Sequence, residues 1–581
     1  VTKDDVADAL DEIAVLLELK GESPFRAGAY TNGARAVRLI PGDLAGLVAA
    51  GRLGEVRGVG EALRDKITTL VTTGRLPYLE RLREEVPPGL VQMLRLPGLG
   101  AKKVKALHDA LGVETLNALK AACERGEVAA LKGFGAKTQA KILDGIKFLG
   151  SVGNRVRIDQ ADALGAGLLA KVRGFPGVVR AESCGSLRRR RETVGDLDVL
   201  AAAADAGPVI EAFVRLPEVV EVLGKGPAKG SVLAEVHVDG TKVRMQVDLR
   251  VVTDDLFPFG LHYFTGGKEH NVRMRQRAID RGWLLSEYGL GNDTTRIPAA
   301  TEADIFAALG MQYVPPELRE DTGEVEAAET NSLPRLIEPG DLRGVFHNHT
   351  TYSDGGATLE EMARAAKALG FEYFGVGDHS QSLTVARGMP PGVVRKQWAE
   401  IDAVNKKLTG VRILKGVECD ILADGSLDYE DDLLAGFDYV VGSVHTLFGM
   451  PEAEMTARVC KALAHPRLTM LGHPTGRLLL RREGYKIDLE AVLAAAARHG
   501  KMVEINANPY RLDLDWRWVK RAKALGIPVV INPDAHGPGE LGYTRTYGVD
   551  VARRGWLTKD DVFNTRPLAE VMRELERRKH G

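Results

Sequence analysis

CGSLRRRRETVGDLDVL, residues 184–200, decides how this chain is read. Asp196 and Asp198 stand two apart in a run continued by Leu197, Val199 and Leu200. On a strand, that spacing puts both carboxylates on one face and the apolar residues on the other. Further on, VRMQVDLR at residues 243–250 alternates in the same way, so Asp248 shares a polar face with Arg244, Gln246 and Arg250 and is expected across from the pair. Three carboxylates within about 5 Å repel by roughly 3 kcal/mol per pair at an effective dielectric of about 20, so the pattern predicts cations between them. Mg²⁺, a hard ion that takes carboxylate and phosphate oxygens together, is the expected occupant. The turn before the carboxylates supplies the other half of such a site. Gly185 lets backbone approach a phosphate closely, and the Ser186 hydroxyl with nearby N–H groups can donate to its oxygens. A lone Asp-x-Asp also suits a solvated strand edge and Arg188–Arg191 a solvated loop; side by side they favour phosphate contact.

Gly-Ser, then Asp-x-Asp about ten residues on, then a third Asp on a separate strand, resembles the nucleotidyltransferase palm of DNA polymerase beta and the wider X family. The resemblance implies an α+β palm in which Asp196 and Asp198 hold two Mg²⁺ ions, and Asp248 completes the ion beside a primer 3′-hydroxyl that attacks the α-phosphorus of a dNTP. Tyr263, Phe264 and Gly266, followed by Asn271 and Arg275, look like the segment that holds the sugar and base of the incoming nucleotide, and Arg189 like the arginine on its phosphates. Taken alone, Tyr263 and Phe264 also suit plain core packing. Glu287-Tyr288-Gly289-Leu290 after Gly282-Trp283 is similar to the thumb-like subdomain of the same family.

Ahead of the palm, short helical stretches are joined by glycine turns, beginning with the apolar period Val6, Leu10, Ile13, Leu16 and Leu17. Gly58-Val59-Gly60, Gly98-Leu99-Gly100 and Gly133-Phe134-Gly135 each precede a Lys/Arg-bearing helix. Such turns aim free N–H groups at the start of the next helix, a phosphate cradle indifferent to base sequence. They resemble helix-hairpin-helix DNA-binding motifs. Lys66 is similar in place to the Schiff-base lysine of the polymerase beta lyase domain; Lys141 at the same offset after the third turn, with Ala62 and Pro24 nearby in place of polar residues, leaves lyase chemistry and plain phosphate contact both open.

Behind the palm, residues 316–340 are proline- and glutamate-rich and read as a linker. Beyond them strands and helices alternate, with seven short apolar runs near 345, 373, 411, 439, 469, 502 and 529, which predicts a β/α barrel. His347 and His349, Asp378 and His379, Glu418, His445, His473, and Asp534 and His536 fall at or just past those runs, on the rim where barrels build chemistry. Six of 13 histidines converging with carboxylates predict a metal centre, because imidazole and carboxylate mixtures suit Zn²⁺, Mn²⁺ or Fe²⁺. These residues resemble the PHP (polymerase and histidinol phosphatase) domain, a distorted (β/α)7 barrel with up to three metals, Mn²⁺ or Zn²⁺. The ligand set this implies is His347, His349, Asp354, His379, Glu418, His445, His473, Asp534 and His536.

The expected organisation is multidomain: an all-α helical region of residues 1–85, helix-hairpin-helix 86–153, palm with thumb-like subdomain 154–315, linker 316–340 and PHP barrel 341–581. The formal net charge of −1 hides a mildly basic front and an acidic back, so DNA contact must come from local patches. Cysteines 123, 184, 419 and 460 form no C-x-x-C pair, which argues against a disulfide scaffold or a thiolate zinc site. The start is acidic and no apolar run reaches a membrane span, so a cytoplasmic location without membrane contact is expected; a monomer, nucleoid-associated during repair, is the expected form. The two resemblances together imply a bacterial or archaeal X-family DNA polymerase acting on gapped or primed DNA with dNTPs in repair, with a 3′→5′ exonuclease in the barrel. Two alternatives stay open: a DNA-binding protein whose barrel is a small-molecule phosphatase, and a non-catalytic scaffold that bridges DNA ends.

Overall fold

The computed structural model describes residues 1–580 apart from 2, 39, 41–43, 57, 95, 97, 154, 239 and 240. They fall into two units, one of residues 1–155 with 218–220 and 233–245, the other of residues 156–217, 221–232 and 246–581. In the first unit, Val6, Leu10, Ile13, Leu16 and Leu17 of helix Lys3–Lys20 are all buried, as their period predicts. Helices Glu61–Thr73, Ala101–Leu111 and Gly135–Val152 each follow one of the glycine turns. Gly58, Gly98 and Gly133 have φ of +96°, +80° and +90°, which side chains rarely adopt, while the residues between the glycines, Val59, Leu99 and Phe134, are buried in the helical core.

A five-stranded sheet has the order Val178–Ser183, Asp196–Ala203, Thr241–Val252, Lys229–Val238, Val219–Lys225, and the last three of these strands carry residues assigned to the first unit. Asp196–Ala203 and Thr241–Val252 are parallel neighbours, with Asp196 opposite Gln246 and Asp198 opposite Asp248. Leu197, Val199, Val247 and Leu249 are buried on the other face, so the alternation read in the sequence sets the carboxylates' direction. Helices Phe257–Thr265 and Lys268–Ile279 follow, then a small antiparallel sheet and helix Glu302–Ala308.

The segment 316–340 departs from its reading as a linker. It contains a turn of helix at Pro316–Leu318 and helix Glu324–Glu329, and Leu318, Val325, Ala328 and Leu336 pack in one core with Phe259, Met274 and Phe306. A buried ion pair and a buried hydrogen bond account for its polar sequence: Arg319 donates to Glu302 at 2.6 Å, and the Glu324 carboxylate holds the His270 ring, whose pKa burial lowers, at 2.7 Å. Proline and glutamate here mark a folded corner rather than a free connector.

The barrel has the seven expected strands, Gly344–Val345, Tyr373–Gly375, Arg412–Leu414 continued by Gly416–Asp420, Tyr439–Ser443, Met470–Leu471, Met502–Asn506 and Val529–Asn532. Pairing is parallel throughout, and the ring closes where Asn348 bridges Ala535. Tyr373, Val441, Met470, Met502 and Val530 fill its core with Phe346 and Phe563.

Candidate active sites

The palm site is built on a close contact between a glycine turn and a carboxylate. Gly185 starts the single helical turn Gly185–Arg188 with φ +60°, and a Cβ there would lie 2.2 Å from Asp198 Oδ2. Turn and carboxylate are therefore packed as one unit, with the Cys184 N–H donating to the Asp198 carbonyl at 2.8 Å. Burial, then the charges of Asp196 and Asp248, push the Asp198 carboxyl up to about 6. Burial also raises Asp248, but hydrogen bonds from Lys229, Gln246 and Ser231 outweigh it and hold this carboxyl below its usual range. Lys229 Nζ stands 2.5 Å from Asp248 Oδ2, an ammonium among the carboxylates that the sequence reading did not single out. A carboxyl set under mutual repulsion beside a backbone cradle is the donor chemistry that divalent cations and phosphates fit.

The four arginines after Ser186 divide their partners. Arg188 donates to Thr265 Oγ1 and Glu302, and Arg189 donates to the Thr265 carbonyl at 2.8 Å and Glu320 at 3.1 Å. Arg189 is 8% exposed and ties the turn to helix Phe257–Thr265. Tyr263 and Phe264 meet edge to face at 5.1 Å, both only partly buried. Asn271 donates to the Tyr263 carbonyl at 2.7 Å, and a Cβ on Gly266 would lie 2.1 Å from Asn271 Oδ1, so the glycine is required by the asparagine. Arg275 is exposed on helix Lys268–Ile279.

In the barrel, eight of the nine expected ligands meet in three overlapping groups whose ligand atoms lie within 4.8 Å: His349, Asp354, His379 and His536; His347, His349 and Asp534; His379, Glu418 and His445. The ninth, His473, approaches Glu418 Oε1 with Nε2 at 2.8 Å. His347 Nε2, His349 Nδ1 and His379 Nδ1 are buried beside carboxylate oxygens, at 3.3 Å from Glu418, 3.5 Å from Asp354 and 2.8 Å from Glu418, without a well-directed hydrogen bond to them, which is an arrangement that a shared cation satisfies. Burial works against the charge of Glu418, yet His445, His347 and His379 hold its carboxyl far below the ordinary range. Asp354 and His536, 34% and 36% exposed at the side chain, form the open edge of an otherwise buried cluster.

Behind the ligands stands a set of acids that spacing alone did not reveal. Glu504 accepts from His347 Nδ1 at 2.8 Å, from the His473 N–H at 2.7 Å and from Asn532 at 3.0 Å; Asp420 accepts from His445 Nδ1. Such carboxylates fix the ring tautomer and turn the other nitrogen to the metal side. Asp378, beside His379 in sequence, accepts from Thr350, Ser353 and Gln397 and so shapes the loop that carries His349 and Asp354.

At the front, Gly60 and Gly100 cap their helices with backbone alone, and Cβ atoms on Gly58, Gly60, Gly98, Gly100, Gly133 and Gly135 would meet at most one methyl group, at 3.4 Å from Gly58. Lys66 Nζ donates to the Ala62 carbonyl at 3.1 Å and lies 4.9 Å from the centre of the Tyr78 ring.

A parallel strand pair carrying three carboxylates beside a glycine turn, joined to an imidazole-lined parallel barrel, fits a nucleotidyltransferase coupled to a metal-dependent phosphoesterase. The comparisons agree: a helix-hairpin-helix domain matches residues 1–76, a SAM-like helix-hairpin-helix tandem 91–147, the DNA polymerase beta thumb 260–320 and the PHP domain 346–508. The chain is 39% identical over 577 residues, 99% of each chain, to the DNA polymerase/3′-5′ exonuclease PolX of Bacillus subtilis (strain 168), and it belongs to this X family of DNA polymerases with a C-terminal PHP domain. It is also 29% identical across 255 residues, 41% of this chain and 99% of the relative, to a protein of Thermoanaerobacter sp. (strain X514) named "Probable phosphatase". A protein of Acetivibrio thermocellus with the same name is 29% identical over 211 residues, 35% of this chain and 83% of the relative. The family and the donor sets make divalent metal part of the chain's chemistry. Among the described residues no helix is long and apolar enough to cross a membrane.

Proposed function

We propose that the chain extends a DNA primer from dNTPs at Asp196, Asp198 and Asp248, and removes 3′ nucleotides at the barrel cluster, as a DNA polymerase with 3′→5′ exonuclease. The three palm carboxylates would hold two Mg²⁺, and the nine barrel ligands up to three Mn²⁺ or Zn²⁺. When bound, these ions neutralise phosphate charge and lower the pKa of the attacking oxygen. The chain's own residues do the positioning. The Gly185–Ser186 turn is assigned to the triphosphate, to which it would offer N–H groups and a hydroxyl, Tyr263 and Phe264 are assigned to the sugar, and Asn271 holds the Tyr263–Gly266 turn in shape. Arg275 is assigned to the template side. In the barrel, Glu504 leaves His347 Nε2 free to act as a donor, and Asp354 and His536 face the entering strand.

The glycine turns at Gly58, Gly60, Gly98, Gly100, Gly133 and Gly135, with Lys66, are assigned to the DNA backbone. The substrate is gapped or primed duplex, the role is gap filling in repair at the nucleoid, and the working form is a monomer. One observation carries the reading: Asp198 and Asp248 are register partners, with the Gly185 backbone packed directly against the Asp198 carboxylate. The test is a gapped duplex with a labelled primer, incubated with Mg²⁺ or Mn²⁺. Extension with dNTPs and 3′ trimming without them support the reading, and hydrolysis of small phosphomonoesters with neither DNA activity contradicts it.

A further inference from the structure

The palm loop between Ser186 and Asp196 is fastened from the barrel. Arg190 has φ +56°, a left-handed conformation that costs an arginine roughly 1 kcal/mol and persists only where contacts over-determine it. Those contacts are three: Nη1 and Nη2 donate to both oxygens of Asp162 at 2.6 and 2.7 Å, and Nε donates to Asp550 at 2.6 Å. Asp550 belongs to helix Val549–Arg554 of the barrel, and the last residue of that helix, Arg554, donates to Glu192 at 2.6 Å. Arg554 is 1% exposed, so this joint is desolvated.

The loop passes the restraint back to the nucleotide turn. With Arg190 left-handed, the Arg191 N–H reaches the Ser186 carbonyl at 3.1 Å and the Arg190 N–H the Leu187 carbonyl at 2.9 Å, which closes the single helical turn bearing Gly185 and Ser186. Among the described residues, Asp550 bonds Arg190, and Arg554 bonds Glu192 and Glu320; neither bonds a member of the imidazole cluster.

We propose that Asp550 and Arg554 of the barrel are positioning residues for nucleotidyl transfer, holding Arg190 and Glu192 so that the Gly185–Ser186 turn keeps the shape that receives a triphosphate. This rests on the function proposed above. The barrel is then a structural part of the polymerase site, independently of its own hydrolysis.

Steady-state extension on a gapped duplex tests it, with the full chain and Mg²⁺, and with trimming assayed on the same sample. Asp550→Asn removes one charge and keeps the shape; it is expected to raise KM for dNTP about tenfold while kcat and trimming stay within about twofold. Asp550→Glu, which keeps the carboxylate, is expected to recover most of that KM. A parental KM in Asp550→Asn, or an equal loss of extension and trimming, overturns the proposal. Asp198→Asn run in parallel separates this from the reading beneath it: extension surviving in Asp198→Asn overturns the polymerase site, whereas its loss beside a parental Asp550→Asn overturns only the positioning role.

Discussion

Gly185 and Asp198 share one volume: a Cβ on the glycine would sit 2.2 Å from Asp198 Oδ2, and the glycine's φ is +60°. Neither the carboxylate nor the backbone of the turn can yield without the other moving. Gly185→Ala is therefore expected to lower primer extension by about 100-fold through misplacement of both phosphate cradle and metal ligand, with trimming at the barrel within about twofold. Single-turnover extension and trimming rates on one preparation check this, and an alanine variant that extends at the parental rate would contradict it.

Lys229 pairs with Asp248, the carboxylate proposed above as a cation ligand. Its ammonium lies 2.5 Å from Asp248 Oδ2 with 40% of its side chain exposed, so the pair is weak enough to be displaced. Lys229→Gln is expected to lower the Mg²⁺ concentration for half-maximal extension about fivefold. A metal titration of extension rate decides it; a higher requirement would mean that the lysine assists binding.

Glu302 anchors the same loop from below, bonded to Arg188 and Arg319. Burial raises its carboxyl, but Arg319 and Arg188 overcome this and bring it down to about 2 from 4.5. A depressed folded-state pKa contributes stability that is present above the unfolded value and lost as pH falls towards the folded one. Glu302→Gln is thus expected to cost about 3 kcal/mol at pH 7, with the difference about halved near pH 3.3. Urea unfolding of both chains across this range measures it, and a difference independent of pH would contradict the ion pair.

Much of this was legible in the sequence because simple periods carried it. Alternation pointed Asp196, Asp198 and Asp248 to one face, and the strand-end rule of parallel barrels gathered His347 through His536. What stayed hidden depended on partners distant in the chain. Arg188 to Arg191 are identical residues in a row, yet they serve Glu302, Glu320, Asp162 and Asp550, a division fixed by tertiary position alone. Lys229 lies on the strand beside Asp248, and its pairing depends on a register the sequence does not print. Residues 316–340 look like a linker by composition because their charges are visible and the buried partners, Glu302 and His270, are not adjacent.

Glu504 gives a check on the barrel that does not depend on turnover. Its carboxylate fixes His347 and caps the His473 N–H, so Glu504→Gln is expected to weaken Mn²⁺ binding by about 10–100-fold. Calorimetric titration with Mn²⁺ reads this directly, and parental affinity in the variant would show that His347 needs no such support.

If two chemistries reside in two separable constellations, one gapped duplex with a labelled primer separates them. Asp198→Ala is predicted to stop extension with dNTPs and leave trimming, and His349→Ala to stop trimming and leave extension. Loss of both activities in each single variant, or the survival of both, would contradict that separation.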